Sequence, residues 1–475
     1  MKYITGLLFC LIVVLSSCGS AKKSTGTAAV NAPQRVLPAL PSSQINIPIK
    51  VYMRPLIALM DSVTAKEFTN EKWPEYTESS CDFRYKYRFT RSPFTFSCVN
   101  NKVTIGFRGN YQIAGSKRVC AFNTQVSPWV GGSCGFGSEP LRRVDITIGS
   151  QLDLLTNHQI RTNTRLETSR ALDKCAVTVL QTDVTTQVMD SIKASIDSYC
   201  AVFDSIVQAV NNNVLLQNWR KGGSKVMAIS QYGFINLNPT QFRVGRFNTY
   251  KDTLIFSVGF SGSPRFSSDS QQLVTNAPLP AIHSVNTATG ISTYLDANYQ
   301  YSFFNKLLND SLRNKPFELE GRTFVVRDVV VAGTDNGKLS VDVSFTGNRK
   351  GTLHIAGTPV LDTALQVLSM PDISFSIDTR DMLVNILKNM FRKKIMKELK
   401  SQSVLDIAAL IQRNKPGIEA RLNQPVTAWM STSGKIHEIR LLGILPQKNS
   451  IQVQAFIRAD LQLTGAPSMA MLKGF

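Results

Sequence analysis

Four short blocks of this 475-residue chain recur in the same order, and a duplication limits the fold more than any other feature of the sequence. Asp61, Ser62, Lys66 and Phe68 return at equal spacing as Asp310, Ser311, Lys315 and Phe317, with Leu59 matched by Leu308. The run Val103–Asn110 resembles Val341–Asn348. Ile113-Ala114-Gly115 returns as Ile355-Ala356-Gly357, and Asp145–Ile148 as Asp372–Phe375. One block alone is unremarkable; an ordered series predicts two related halves. The first copy is longer between its third and fourth blocks and carries Cys120 and Cys134 there, which predicts an inserted loop closed by its own disulfide.

Each half begins with a mixed amphipathic segment, Ile45–Phe68 and Tyr294–Phe317. Strand-type patterns follow at Lys102–Phe107, Val144–Ile148, Phe324–Val331, Lys338–Phe345 and Asp372–Ile377. A helix comes next. In the first half, Val184, Val188, Ile192, Ile196, Tyr199, Val202, Phe203, Ile206, Val207 and Val210 recur at helical spacing, with Asp190, Lys193, Asp197 and Asp204 assigned to the other side. A helix of this length runs ~40 Å and requires an equally long apolar partner. The second half offers Asp381–Lys400, whose Arg392, Lys393, Lys394, Lys397 and Lys400 suit the negative end of a helix dipole or, alternatively, a patch that faces phosphates. Strands return at Phe242–Phe247 and Leu254–Phe260, and at His437–Leu442 and Ile451–Leu463. Between the halves, Ser267–Gly290 reads as a link.

The amino terminus assigns the compartment. Lys2 precedes an apolar run, Ile4–Leu15, too short to span a bilayer, which takes ~20 residues, and fitting a signal peptide over residues 1–17. Leu15-Ser16-Ser17-Cys18 resembles a bacterial lipobox, in which Cys18 receives the lipid anchor. Residues 18–42 are rich in small and polar side chains and read as a tether. The expected location is the envelope of a Gram-negative bacterium, anchored by lipid, at the outer membrane facing the periplasm. Beyond Cys10 and Cys18, six cysteines remain: Cys81, Cys98, Cys120, Cys134, Cys175 and Cys200. In an exported chain an even number predicts disulfides. Sequence neighbours are the favoured pairs: Cys81–Cys98, Cys120–Cys134 and Cys175–Cys200. No two of the six lie close enough for the usual zinc spacing, so no metal is expected.

The chain carries 53 Lys and Arg against 33 Asp and Glu, a formal charge of +20. Export argues against nucleic acid as the partner, and anionic lipids or envelope polymers suit the charge. Catalytic signatures are weak. Gly131-Gly132-Ser133-Cys134-Gly135 matches the G-x-S-x-G elbow of hydrolases, but no helix start follows it and Cys134 is claimed by a disulfide. His158, His283, His354 and His437 are scattered. Neither an enzyme nor a cofactor is expected.

The duplicated blocks, with the runs Gly351–Pro359 and Phe234–Pro239, resemble a bacterial lipoprotein family defined by domain of unknown function 4403. That family in turn looks like the tubular lipid-binding (TULIP) group typified by bactericidal/permeability-increasing protein. The resemblance implies an α+β fold of two pseudo-repeated modules, 43–275 and 276–475, each a curved antiparallel sheet wrapped around a long amphipathic helix. It also implies an apolar channel for a phospholipid, a fatty acid or a lipopolysaccharide-type ligand. Val188, Ile192, Ile196, Tyr199 and Phe203 are the candidate channel residues. The alternative is a non-catalytic structural or adaptor lipoprotein whose core is closed.

Overall fold

The computed structural model describes residues 36–177, 182–211, 226–228, 233–274, 280–284, 289–319, 322–334, 336–347, 350–378, 396–397, 399–401 and 403–466. Strand β1 (Ser43–Tyr52) leads into helix α1 (Arg54–Val63), whose Pro55 sits in the first turn, where a missing N–H costs nothing. An antiparallel sheet follows, built on β2 (Glu67–Thr69), β3 (Phe83–Arg91), β4 (Lys102–Lys117), a small hairpin of β5 (Cys120–Ala121) and β6 (Thr124–Gln125) beside it, β7 (Val130–Cys134), β8 (Arg142–Leu154) and β9 (Ile160–Ala171). Its principal order is β9-β8-β4-β3-β2, and β7 also pairs with β4. Helix α2 (Thr185–Asn211) comes after it, then β10 (Pro239–Val244) and β11 (Thr253–Gly262).

The second half repeats this plan. Strand β12 (Gly290–Gln300) leads into helix α3 (Tyr301–Leu312) and a five-stranded sheet of β13 (Pro316–Leu319), β14 (Arg322–Gly333), β15 (Leu339–Gly347), β16 (Gly351–Gly357) and β17 (Ser374–Asp378) in sequential order. Helix α4 (Ile407–Leu422), capped by the Asp406 carboxylate accepting the Ala409 N–H at 2.8 Å, and the long strands β18 (Met430–Pro446) and β19 (Ser450–Gly465) complete the described fold.

The predicted strands are all present, most of them longer than their patterns. The first two repeated blocks fall at equivalent places: the first runs from α1 into β2 and from α3 into β13, and the second, as far as Gly347, lies on the third strand of each sheet path. The other two do not. Ile113–Gly115 continues β4, whereas Ile355–Gly357 is on β16, one strand further along, and the fourth block slips likewise from β8 to the start of β17. Strand β4 is long enough to hold two blocks that the second half divides between two strands.

Two cores result. In the first half, Tyr111, Val144, Ile146 and Val188 are buried between the sheet and α2, with Phe107, Ile113, Ile148, Ile192 and Ile196 packed around them. In the second, Leu308 and Leu312 of α3 pack on Val326, Val329, Val343, Leu353 and Ile355. Full burial of each such side chain contributes ~1.5–3 kcal/mol. An 11-stranded sheet joins the halves. In it β1 pairs antiparallel with β11 and β12, and parallel with β19, Ile49 lying opposite Leu463. The expected link between the halves also contributes structure, since Ile282–Ser284 pairs in parallel with Phe242–Val244 of β10.

The expected α+β architecture of two sheets, each wrapped around a long helix, is overturned. The described residues are mostly strand, and α1, α3 and α4 are short, at 10, 12 and 16 residues. The 27-residue α2 lies against the first-half sheet, chiefly along β9, and is not enclosed: Tyr199, Val202 and Phe203 are 73%, 55% and 47% exposed. The sheet meets a narrow i, i+4 line of the helix: Val188, Ile192, Ile196, Cys200 and Asp204. Asp204, expected on the solvent side, accepts the Thr164 N–H and hydroxyl of β9 at 2.9 and 2.6 Å. The second helix expected over Asp381–Lys400 lies almost wholly outside the described residues.

The cysteine pairs also differ from the expected neighbours. Cys81 is bonded to Cys120 and Cys134 to Cys175, while Cys98 and Cys200 are buried free thiols. Strand register explains the first pair. Phe83 lies opposite Lys117, so the chain entering β3 runs beside the chain leaving β4.

Candidate functional site

Strand β3 alternates without a break. Phe83, Tyr85, Tyr87 and Phe89 share one face, and Arg84, Lys86 and Arg88 share the other. The aromatic face points to the side that carries α2. Phe83, Tyr85 and Tyr87 form a stacked ladder, with ring centroids 6.2 and 6.3 Å apart, and Phe68 meets Phe89 edge-on at 6.2 Å. Opposite them on β4 stand Gly115, Ile113 and Tyr111. Gly109 is required here, because a Cβ at that position would run into the Phe89 ring.

All four β3 aromatics are only half-buried. Helix α2 lies along β9, three strands away, and Phe89 packs at the edge of the core it covers, while the ladder beyond is left as a half-exposed apolar strip, the trough, on the helix side of the sheet. Tyr199 reaches toward the ladder from the helix. Burial, then the neighbouring Tyr85 and Tyr199 hydroxyls, push the Tyr87 phenol above its ordinary value. Phe203 continues the exposed apolar surface one turn further on, while Val202, two residues from both Cys200 and Asp204, points away from the sheet. The helix is fixed at both ends of this stretch. The Thr185 hydroxyl accepts the Cys175 N–H at 2.8 Å, and Asp204 holds Thr164.

The five candidate channel residues therefore divide. Val188, Ile192 and Ile196 pack into the first-half core, while Tyr199 and Phe203 face outward over the trough. The β3 ladder is absent from the sequence-derived candidates, although the strict alternation Phe83-Arg84-Tyr85-Lys86-Tyr87-Arg88-Phe89 is a legible period-two signal. Cys18 lies outside the described residues.

The catalytic readings gain no geometry. Gly131–Cys134 lies on β7, paired with β4, and the Cys134 sulfur is bonded to Cys175, so the segment is a sheet strand and not an elbow. His158 meets the Pro280 carbonyl at 3.0 Å, His354 the Asp342 carboxylate at 2.8 Å and His437 the Asp460 carboxylate at 2.7 Å, in three separate places. Among the described residues no group of three His, Cys, Asp or Glu side chains is placed to hold a metal, and no helix is long and apolar enough to cross a membrane.

A polar groove of about 480 Å³ opens on the joining sheet, lined by Gln44, Asn46, Ser292, His437, Arg458 and Asp460. Beneath it Arg243 is buried among the neutral oxygens of Asn46, Gln241 and Ser261, and burial lowers its pKa. These contacts satisfy the guanidinium within the sheet.

The chain belongs to the family defined by a domain of unknown function, DUF4403, which matches residues 41–464. No curated protein matches it. Among solved structures it is similar to P47 from Clostridium botulinum A2, at 10% identity over 86% of this chain and 96% of that one, with a TM-score of 0.20. A score that low defines no shared fold.

Proposed function

We propose that this protein is a lipid-anchored lipoprotein of the bacterial envelope, held through Cys18, that binds the acyl chains of a fatty acid, a phospholipid or a related lipid along the trough between α2 and β3. The observation that carries the reading is the uncovered apolar surface of Tyr199 and Phe203 beside a half-buried ladder of four aromatics. Exposed apolar side chains grouped beside aromatic rings are the kind of surface on which apolar ligands dock. The ligand lies in the open trough and not in an inner channel, because Val188, Ile192 and Ile196 fill the core.

Delipidated protein is expected to take up a fluorescent fatty acid, and native extracts to contain lipid by mass spectrometry. Tyr199→Glu and Phe203→Glu, at exposed positions, should each weaken uptake by roughly tenfold or more while leaving the melting temperature unchanged, since burying an aromatic side chain is worth about 1.5–3 kcal/mol. Full uptake by both folded variants would remove the trough from the reading. The packed core favours a second reading, a structural or adaptor lipoprotein. It is the outcome if no lipid is found and an envelope protein copurifies with the parent but not with Tyr199→Glu.

A further inference from the structure

The hairpin of β5 and β6 presents an apolar tip that no part of the described fold uses. Its two-residue turn is Phe122-Asn123, with φ of 47° and 63°, between the pairs Cys120–Gln125 and Ala121–Thr124. A turn of this hand favours Asn-Gly, and a bulky aromatic at positive φ is uncommon. Yet Phe122 holds that strained position with its whole side chain in solvent, at 105% exposure. Val119 and Val126, facing each other at the hairpin's base, and Val130 on β7 are each more than 60% exposed. Folding alone gains nothing from four apolar side chains displayed in this way.

The hairpin is also rigidly mounted. The Cys81–Cys120 disulfide fixes its base, and Arg118 donates to the Cys81 carbonyl at 2.6 Å and to Gln125 Oε1 at 2.7 Å. Behind the tip lies a collar of alternating cations and rings. The Arg118 guanidinium stacks over Trp129 at 4.1 Å, Arg84 lies over Tyr76 and Trp129 at 4.4 and 4.5 Å, and Lys86 lies over Tyr76 and Phe136 at 4.8 and 5.2 Å. Trp and Tyr at the rim, with Arg and Lys beside them and an apolar point in front, is the side-chain order that the bilayer–water interface selects. The nearby acids are Glu78, 3.6 Å from Arg118, and Asp82 beside Lys117. Against them stand Arg84, Lys86, Lys117 and Arg118, so the collar remains net positive.

We infer that the Phe122 hairpin is a membrane-docking finger, which inserts Phe122 into the acyl boundary of an anionic bilayer while Lys86 and the exposed Lys117 behind it meet lipid phosphates. Each basic residue near an anionic surface adds attraction that fades with salt. The inference does not rest on the trough. It concerns the opposite face of β3 and a bilayer surface, not a single bound lipid.

The test is cosedimentation of the full chain, carrying Cys18→Ser in every arm so that no acyl anchor contributes, with vesicles of phosphatidylglycerol and phosphatidylethanolamine or of phosphatidylcholine alone. Stronger binding to the anionic vesicles, weakened by salt, is expected. Phe122→Ser should reduce it roughly tenfold, the worth of one buried aromatic, with melting temperature and fatty-acid uptake unchanged. Phe122→Trp should retain binding and show a blue-shifted emission when anionic vesicles are added. Undiminished binding by Phe122→Ser, an unshifted indole in Phe122→Trp, or equal binding to neutral vesicles would each overturn the inference. So would a change in oligomeric state on Phe122→Ser with vesicle binding intact, which would assign the tip to contact between copies of the chain.

Discussion

Asp173 and Asp372, one in each half of the chain, are both held at a pKa of about 2. For Asp173 the cause is the Arg143 side chain, whose guanidinium donates at 2.9 and 3.0 Å, helped by the Arg143 backbone N–H at 2.9 Å. For Asp372 the backbone N–H of Thr358 comes first, at 2.6 Å, then the Thr358 hydroxyl at 2.8 Å, with Lys338 at 3.1 Å. A carboxyl whose folded pKa lies below its unfolded value binds protons more readily when unfolded. Its contribution is therefore complete above about pH 4 and disappears as the pH falls toward about 2. Asp173→Asn and Asp372→Asn should each melt below the parent at pH 6, and the gap should narrow steadily from pH 4 downward. Melting curves across that range check this; a gap that stays constant would mean that shape, not charge, accounts for the loss.

Helix α2 is the element on which sequence and structure agree most and then part. Its existence, length and sheet-facing residues Val188, Ile192 and Ile196 follow from apolar spacing alone. What spacing does not encode is how much of the stripe finds a partner. Tyr199, Val202 and Phe203 belong to the same arc as the buried residues, and only the position of the sheet decides that they stay outside. Asp204 misleads for a related reason: a carboxylate normally marks the wet face, but here its partner is a β9 amide and hydroxyl. Burial works to raise the Asp204 pKa, and the bonds from Thr164 outweigh it, leaving the group below its ordinary value. The disulfides escaped for the same cause, since the β3–β4 register, and not proximity in sequence, brings Cys120 to Cys81. Asp204→Ala should cost about 1.5–3 kcal/mol, typical of hydrogen bonds to a charged group, and should speed amide exchange at Thr164 and through the carboxyl-terminal part of α2. Asp204→Asn, which keeps an acceptor, should recover part of the protection. If the exchange rates of α2 do not change, the helix is held by its apolar line alone.

At the scale of the molecule, the joining sheet changes what the repeated plan of the two halves means. Related halves suggest units that could fold apart, and the boundary expected near residue 275 follows from that picture. Yet β1, at the start of the first half, is paired with β12 and β19, both of the second, and β19 is the last strand among the described residues. Separating the halves strips β1 of those partners and leaves the edges of β12 and β19 with exposed backbone donors and acceptors, which invite aggregation. The whole chain should then unfold in one transition that includes the joining sheet. Fragments 43–275 and 276–475, expressed alone, should aggregate or melt well below the intact protein, and mixing them should restore part of the lost stability. Circular dichroism and size-exclusion chromatography on the two fragments and their mixture decide the matter. A fragment that is monomeric and melts at the parent temperature would show that each half carries its own fold and that the shared sheet only docks them. Should the fragments fail singly and recover together, the trough on α2 and the Phe122 hairpin sit on a frame that needs both ends of the chain, and a variant at either site must be judged in the full-length protein.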